Sequence, residues 1–248
     1  MSLKESETEE IKRILPLGLT PTEAKGWYVR AVLRPWLIKG ILALGVGLSA
    51  LLFSLSPLGE YLESTLMLHM ILQHFLYIAA GFLLVYGVGS LTLAGSRLSK
   101  NVSTVYSQFL SANSIFRKYG IATFVLAGLI VGDWYLPNNF DAAVLYGNVH
   151  VEMHLSLLVA GGLIYFGSTL LTKRMQQFAP VIVGKAMGLF GALMLVTPNT
   201  IYSVYPAPEQ AEAGVTLVLT MLALDMTLMP IVLYNYFGKD AQSKNRID

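Results

Sequence analysis

Six long apolar runs divide the chain, at 36–56, 66–94, 120–136, 144–171, 179–197 and 214–237, with short polar or charged stretches between them. A hydrocarbon core about 30 Å thick takes roughly 20 apolar residues in helical form, so each run reads as a membrane-spanning helix. The pattern predicts an all-α polytopic bundle of six transmembrane helices. It divides the chain into an N-terminal arm at 1–35, the membrane domain at 36–237 and a tail at 238–248. Pro35, Pro57, Pro137 and Pro198 stand near proposed helix ends, where a missing backbone donor costs least. Pro180 suits a helix start and Pro230 a kink. Trp36, Trp134, Tyr135 and Tyr236 fall where aromatic rings anchor at the headgroup level.

Lysine and arginine orient the bundle. Lys4, Lys12, Arg13, Lys25, Arg30 and Arg34 precede the first run, and Arg97, Lys100, Arg117 and Lys118 follow the second. Lys173 and Arg174 follow the fourth run, and Lys239, Lys244 and Arg246 lie in the tail. The loops 57–65, 137–143 and 198–213 have no lysine or arginine and hold Glu60, Glu63, Asp141, Glu209 and Glu212 instead. Basic residues stay in the cytoplasm, so both termini are expected inside and the chain is expected to be a multi-pass protein of the cell membrane. Segment 9–34 mixes apolar and basic residues and reads either as a membrane-surface helix or as a solvated arm.

Composition agrees with lipid as the solvent: 54% of residues are hydrophobic and 13% charged, against roughly 25% charged in an average soluble domain. The net charge of +2, spread in short clusters, gives no basis for nucleic acid as a partner. Without cysteine, thiolate metal sites are excluded and any metal must use His, Met or carboxylate. No phosphate-binding glycine loop, HExxH or nucleophile elbow is present, so the sequence names no catalytic residue and leaves enzymatic activity undecided.

All four histidines lie in two of the proposed spans, His69 and His74 in the second and His150 and His154 in the fourth. Both spans are expected to run from outside to inside, which puts all four imidazoles near the outer face, and Asp133 at the end of the third span reaches the same level. Ionisable groups in a bilayer normally face a bundle interior and are functional candidates. His150 and His154, four residues apart, project from one helical face and suit two ligands of one ion. His69 and His74 are five apart, about 140° round an α-helix, so they share a site only if the helix is distorted or the site lies between them. Glu152 points away from the histidine pair, toward another neighbour or an outer hydrogen bond. Met67 and Met70 are possible thioether ligands, although methionine more often fills gaps in cores. Asp225, near the middle of the sixth span, costs about 2.5–3.5 kcal/mol to insert; it can pair with Lys185 or a histidine, or relay protons. Imidazole with optional thioether suits copper, zinc or haem iron. Two stacked haems would need ligands farther apart along each helix than the roughly 6–7.5 Å these spacings give.

The segment His69-Met70-Ile71-Leu72-Gln73-His74, followed by an apolar run, resembles the His-Met-x-Gln-His helix of the CtaG-type membrane proteins associated with copper delivery to cytochrome oxidase. His154 with the following LSLLVAGGLIYFG is similar to their later helix. The resemblance covers two helices, and its first histidine pair is five apart where the family pattern has four. It implies His69, His74 and His154 as copper-associated positions. A small archaeal membrane-protein family with paired histidines, to which no activity is assigned, is at least as similar. The expectation is a copper or other transition-metal site near the outer face, in an assembly factor or accessory subunit of a membrane oxidase or monooxygenase. The alternatives are a haem-binding electron-transfer subunit and a structural subunit whose histidines only bond helices together.

The orientation is testable by cysteine labelling from either side of the membrane. Glu60, Phe140 and Tyr205 are expected to label from outside and Ser107 and Arg174 from inside; outside labelling at 174 would reverse the orientation.

Overall fold

In lipid a backbone amide has no water to bond, so an uncharged run is driven to close its hydrogen bonds within itself as helix. The computed structural model describes residues 34–96, 104, 108, 120–171, 173–197 and 199–233, and those residues form helices α1 (Arg34–Ser54), α2 (Pro57–Leu62), a π-helical turn (Leu68–Gln73), α3 (His74–Ser96), α4 (Gly120–Asp133), α5 (Pro137–Leu145), α6 (Gly147–Leu170), α7 (Lys173–Val196) and α8 (Ala207–Leu233). Five helices are long and apolar enough to cross a membrane, and six spans result if the bent pair α4–α5 is one of them. The expectations for most of the N-terminal arm, its surface helix and the tail at 238–248 lie outside the described residues, as does Tyr236.

α3 and α6 form the centre. α1 packs on α3, α4 and α5 pack on α6, and α7 pairs with α8. At the central crossing a methyl on Gly81 would sit 1.9 Å from the Leu158 carbonyl oxygen, and one on Gly161 would sit 2.0 Å from that of Ile78. Only glycine permits two backbones to touch in this way, and close packing replaces the hydrophobic effect as the force between helices in lipid. The surface away from these contacts is apolar, with Leu52, Leu129, Leu189 and Met226 exposed, as a lipid-facing surface requires.

The outcome differs from the sequence expectation in several places. Residues 137–143 are helix, not loop: Pro137 starts α5 after Leu136 in extended conformation, and α5 bends 64° from α4. α7 begins at Lys173 and carries Pro180 inside it, whereas Pro180 was expected at the start. α8 begins at Ala207, seven residues before the apolar run, and carries Pro230 inside it. Polar first turns were invisible to a hydropathy reading because a helix continues past the membrane surface. Trp134 is buried, with its Nε1–H donating to Ser156 Oγ at 2.6 Å, and the Tyr135 hydroxyl donates to the Met70 carbonyl at 3.1 Å. Those two rings lock helices together and are not placed as headgroup anchors.

The second span is distorted where the histidines needed it to be. The His74 N–H reaches back five residues to the His69 carbonyl, which marks the π turn. A turn closed at i→i+5 stacks residues five apart, so His69 and His74 share a face, with ring centroids 5.4 Å apart. One extra residue relative to a four-residue spacing is thereby absorbed without unbonding the backbone.

Deleting Leu72, which is 41% exposed, should turn this segment into ordinary α-helix with His-Met-Ile-Gln-His on the same face, at a cost within about 1 kcal/mol. Inserting an alanine after Leu72 should swing His74 by about 100° and cost on the order of 2–5 kcal/mol, as displaced core side chains do. Thermal unfolding of the detergent-purified variants measures both.

Candidate metal centre

Four imidazoles meet where the π turn faces the start of α6. The His150 and His154 centroids are 4.2 Å apart, and His69 lies 5.6 Å from His150 and 6.5 Å from His154. One ring nitrogen each from His69, His150 and His154 fall within 4.8 Å of one another. His74 is fully buried behind His69, and Phe140 of α5 lies against both rings at 5.1 and 5.9 Å. Tyr77, one turn along α3, stacks on His154 at 4.0 Å.

A polar cap built from the loops holds these rings. Gln210 in the first turns of α8 is buried; its Oε1 accepts from the Ile201 and Tyr202 amides, and its Nε2 donates to the Tyr202 and Tyr205 carbonyls. One side chain thus fixes the stretch 201–205. Asp141 of α5 accepts from the Ser203 amide and hydroxyl at 2.9 and 2.6 Å, and Glu209 accepts from the Leu66 amide at 3.1 Å. The Tyr205 hydroxyl donates to the Glu63 carbonyl at 3.1 Å and lies 3.0 Å from His69 Nδ1.

Glu63 supplies the charge. Its Oε1 accepts from Gln73 Nε2 at 2.7 Å and from His150 Nε2 at 3.0 Å. Burial alone would raise this carboxyl, but the hydrogen bonds from His150 and Gln73 and the neighbouring histidine charges outweigh it and hold its pKa at about 2. Burial, and then the charges of Glu209 and Glu63, push the Tyr205 phenol up to about 12, so it remains a donor. His150 Nδ1 faces the Ala143 carbonyl at 3.2 Å while Nε2 faces Glu63. Both nitrogens face acceptors, so both carry protons in this arrangement. The other rings are different: among the described residues, His69 Nε2, His154 Nε2 and both nitrogens of His74 are buried without a hydrogen-bond partner.

The structure brings all four histidines together and separates the remaining candidates. Asp133 is exposed at the end of α4, and its backbone carbonyl accepts from Asn139 Nδ2 at 3.1 Å. Glu152 is exposed on the face of α6 opposite the buried Met153 and His154 side. Asp225 forms an ion pair with Lys185 between α7 and α8, not with a histidine. Met67 Sδ accepts from the Thr216 hydroxyl at 3.6 Å, and Met70 is packed in the apolar cluster of Phe140, Tyr202 and Leu217. Glu63, Gln73, Tyr205 and Gln210 do the positioning. Glu63, Tyr205 and Gln210 escaped the sequence reading because they lie in loop segments or a helix's first turns, where nothing signals that Glu63 meets a histidine 87 residues away, that Tyr205 meets one 136 residues away, or that Gln210 closes the stretch 201–205.

A match over most of the chain decides the family. Residues 26–238 match the cytochrome c oxidase caa3 assembly factor family, Caa3_CtaG. The chain belongs to this family. No curated protein and no solved structure matches it. The match runs well beyond the two helices that carried the resemblance and takes in every histidine and the whole polar cap. The chain is therefore a multi-pass membrane protein of an oxidase assembly-factor family. Within this Caa3_CtaG member, the π turn lets His69 and His74, five residues apart, share one face.

The lowered Glu63 pKa has a pH consequence. A carboxyl whose folded value lies below its ordinary 4.5 contributes stability above that pH and loses it as pH falls toward about 2. The stability difference between wild type and Glu63→Gln, read from unfolding midpoints in detergent, should be full above pH 4.5 for as long as His150 keeps both protons, and close progressively on acidification.

Proposed function

We propose that the histidine cluster binds copper near the outer face of the cell membrane, and that the chain uses this site in assembling a membrane oxidase. A role as accessory subunit of an oxidase or monooxygenase is the same reading with a more lasting association. The observation that carries it is the set of buried ring nitrogens without partners on His69, His74 and His154. A structural role alone would pair those nitrogens with donors or acceptors, since a buried polar atom without a partner costs about 1–3 kcal/mol. The outer placement rests on the distribution of lysine and arginine.

The residues fit an ion. Two nitrogens bound to one metal at about 2.0–2.1 Å stand at most about 4.2 Å apart. The triad's 4.8 Å spread therefore closes with small side-chain rotations. His69 and His154 each present a free Nε2, and His74 stands behind as a fourth imidazole. His150 must release a proton and one of its present partners to join, and the other partner then orients the ring from outside, as carboxylates and carbonyls do for metal-bound histidines. Neutral imidazoles without thiolate suit copper or zinc, and the family's tie to oxidase assembly favours copper. Haem fits less well: His150 and His154 are 4.2 Å apart and Tyr77 covers His154 at 4.0 Å, which leaves no slot for a macrocycle there.

Metal analysis of detergent-purified protein after loading with copper(I) or zinc(II) tests the site. Wild type should hold metal stoichiometrically, His150→Ala with His154→Ala should hold none, and Glu152→Gln should keep most of it. Occupancy should fall as pH drops through the ordinary histidine range near about 6.5, because imidazole binds only when neutral. Metal retained by the double variant, or none taken up by wild type, sinks the site. A visible haem spectrum in native protein would select the electron-transfer alternative.

A further inference from the structure

We propose that Tyr205 is a positioning residue that holds His69 as its Nδ1–H tautomer and so presents the Nε2 lone pair to the metal. The proposal rests on the reading of the cluster as a metal site, and concerns which atom of His69 does the binding and what selects it.

Protons can be counted around the Tyr205 oxygen. A phenol has one, and the Glu63 main-chain carbonyl, 3.1 Å from the Tyr205 oxygen, can only accept it. His69 Nδ1, 3.0 Å from the same oxygen, must then be the donor. A neutral imidazole has one N–H, so its place on Nδ1 leaves Nε2 bare. That Nε2 is buried and has no hydrogen-bond partner among the described residues. The opposite assignment would point the phenol proton at Nδ1, set the Tyr205 and Glu63 oxygens against each other at 3.1 Å, and bury an orphan N–H on Nε2. Three separate parts of the chain take part: Glu63 just after α2, Tyr205 in the stretch closed by Gln210, and His69 in the π turn.

The selection matters because free histidine in water favours the Nε2–H form, in which Nε2 has no lone pair to offer. His154 Nε2 is likewise buried without a hydrogen-bond partner among the described residues, while His150 is held by Glu63 and Ala143. Tyr205 thus readies one ring for the ion before the ion arrives.

The test uses the full chain labelled with 15N-histidine in detergent, without metal, where ring shifts separate protonated from bare nitrogens. His69 signals are identified by their loss in His69→Gln. Wild type should show the proton of His69 on Nδ1. Tyr205→Phe, which removes one oxygen, should move that proton to Nε2 or average it, and should weaken copper(I) binding by about tenfold or more with helicity retained. A wild-type proton on Nε2 overturns the proposal with no variant needed, as does an unchanged His69 pattern in Tyr205→Phe. If copper(I) binds normally in both proteins, the metal site stands and Tyr205 has no role in it. If wild type binds no copper(I), the metal reading fails together with this one.

Discussion

A chain in lipid cannot leave a backbone amide without a partner, and the histidine site follows from that constraint. An extra residue in a loop can bulge into water. An extra residue among Leu68–Gln73 has no such outlet, because each freed N–H or carbonyl in hydrocarbon would cost several kcal/mol. The segment keeps its bonds by closing one turn at i→i+5, and the result is a shared face for His69 and His74. The glycine crossing of α3 and α6 then sets that face against His150 and His154 at peptide contact. Tyr77 stacked on His154 adds side-chain packing to that backbone contact.

Polar chemistry is concentrated at one end of the bundle, where the short helix α5 and the stretch 201–205 close over the imidazoles. Gln210 satisfies four backbone groups there and Glu63 gathers Gln73 and His150. In a low-dielectric surrounding such a network rigidifies whatever it touches when its members are paired. Beside it, His69 Nε2, His154 Nε2 and both nitrogens of His74 lack partners among the described residues, as do Gln73 Oε1, Tyr77 Oη and Asp141 Oδ1 around them, so the unpaired polar atoms gather at the imidazoles.

The bundle was legible in the sequence because apolar runs and loop charges act over tens of residues. Four histidines in two spans also announced a cluster, and the structure joins them. What the sequence did not disclose depended on single residues and distant contacts. The 64° bend after α4 turned an expected loop into α5 and brought Phe140 onto His69 and His74. Asp133, placed at the right depth by its position in a span, ends on the exposed side, since depth says nothing about azimuth in a bundle. Glu63 looked like one more acidic loop residue, although it lies six positions before His69 and meets His150 only through the fold.

The ion pair of Lys185 and Asp225 bears on how the membrane receives the chain. Each charge alone opposes insertion by about 2.5–3.5 kcal/mol near a helix centre. Lys185 lies in α7 and is synthesised forty residues before its partner in α8. During synthesis α7 therefore carries an unbalanced charge until α8 emerges, and the two gain by entering the bilayer together as a hairpin. That hairpin carries Gln210, and with it the closure of the stretch that reaches His69. The helix that carries Gln210 is thus made after all four histidines, and until it folds back the stretch 201–205 lacks the side chain that closes it over His69.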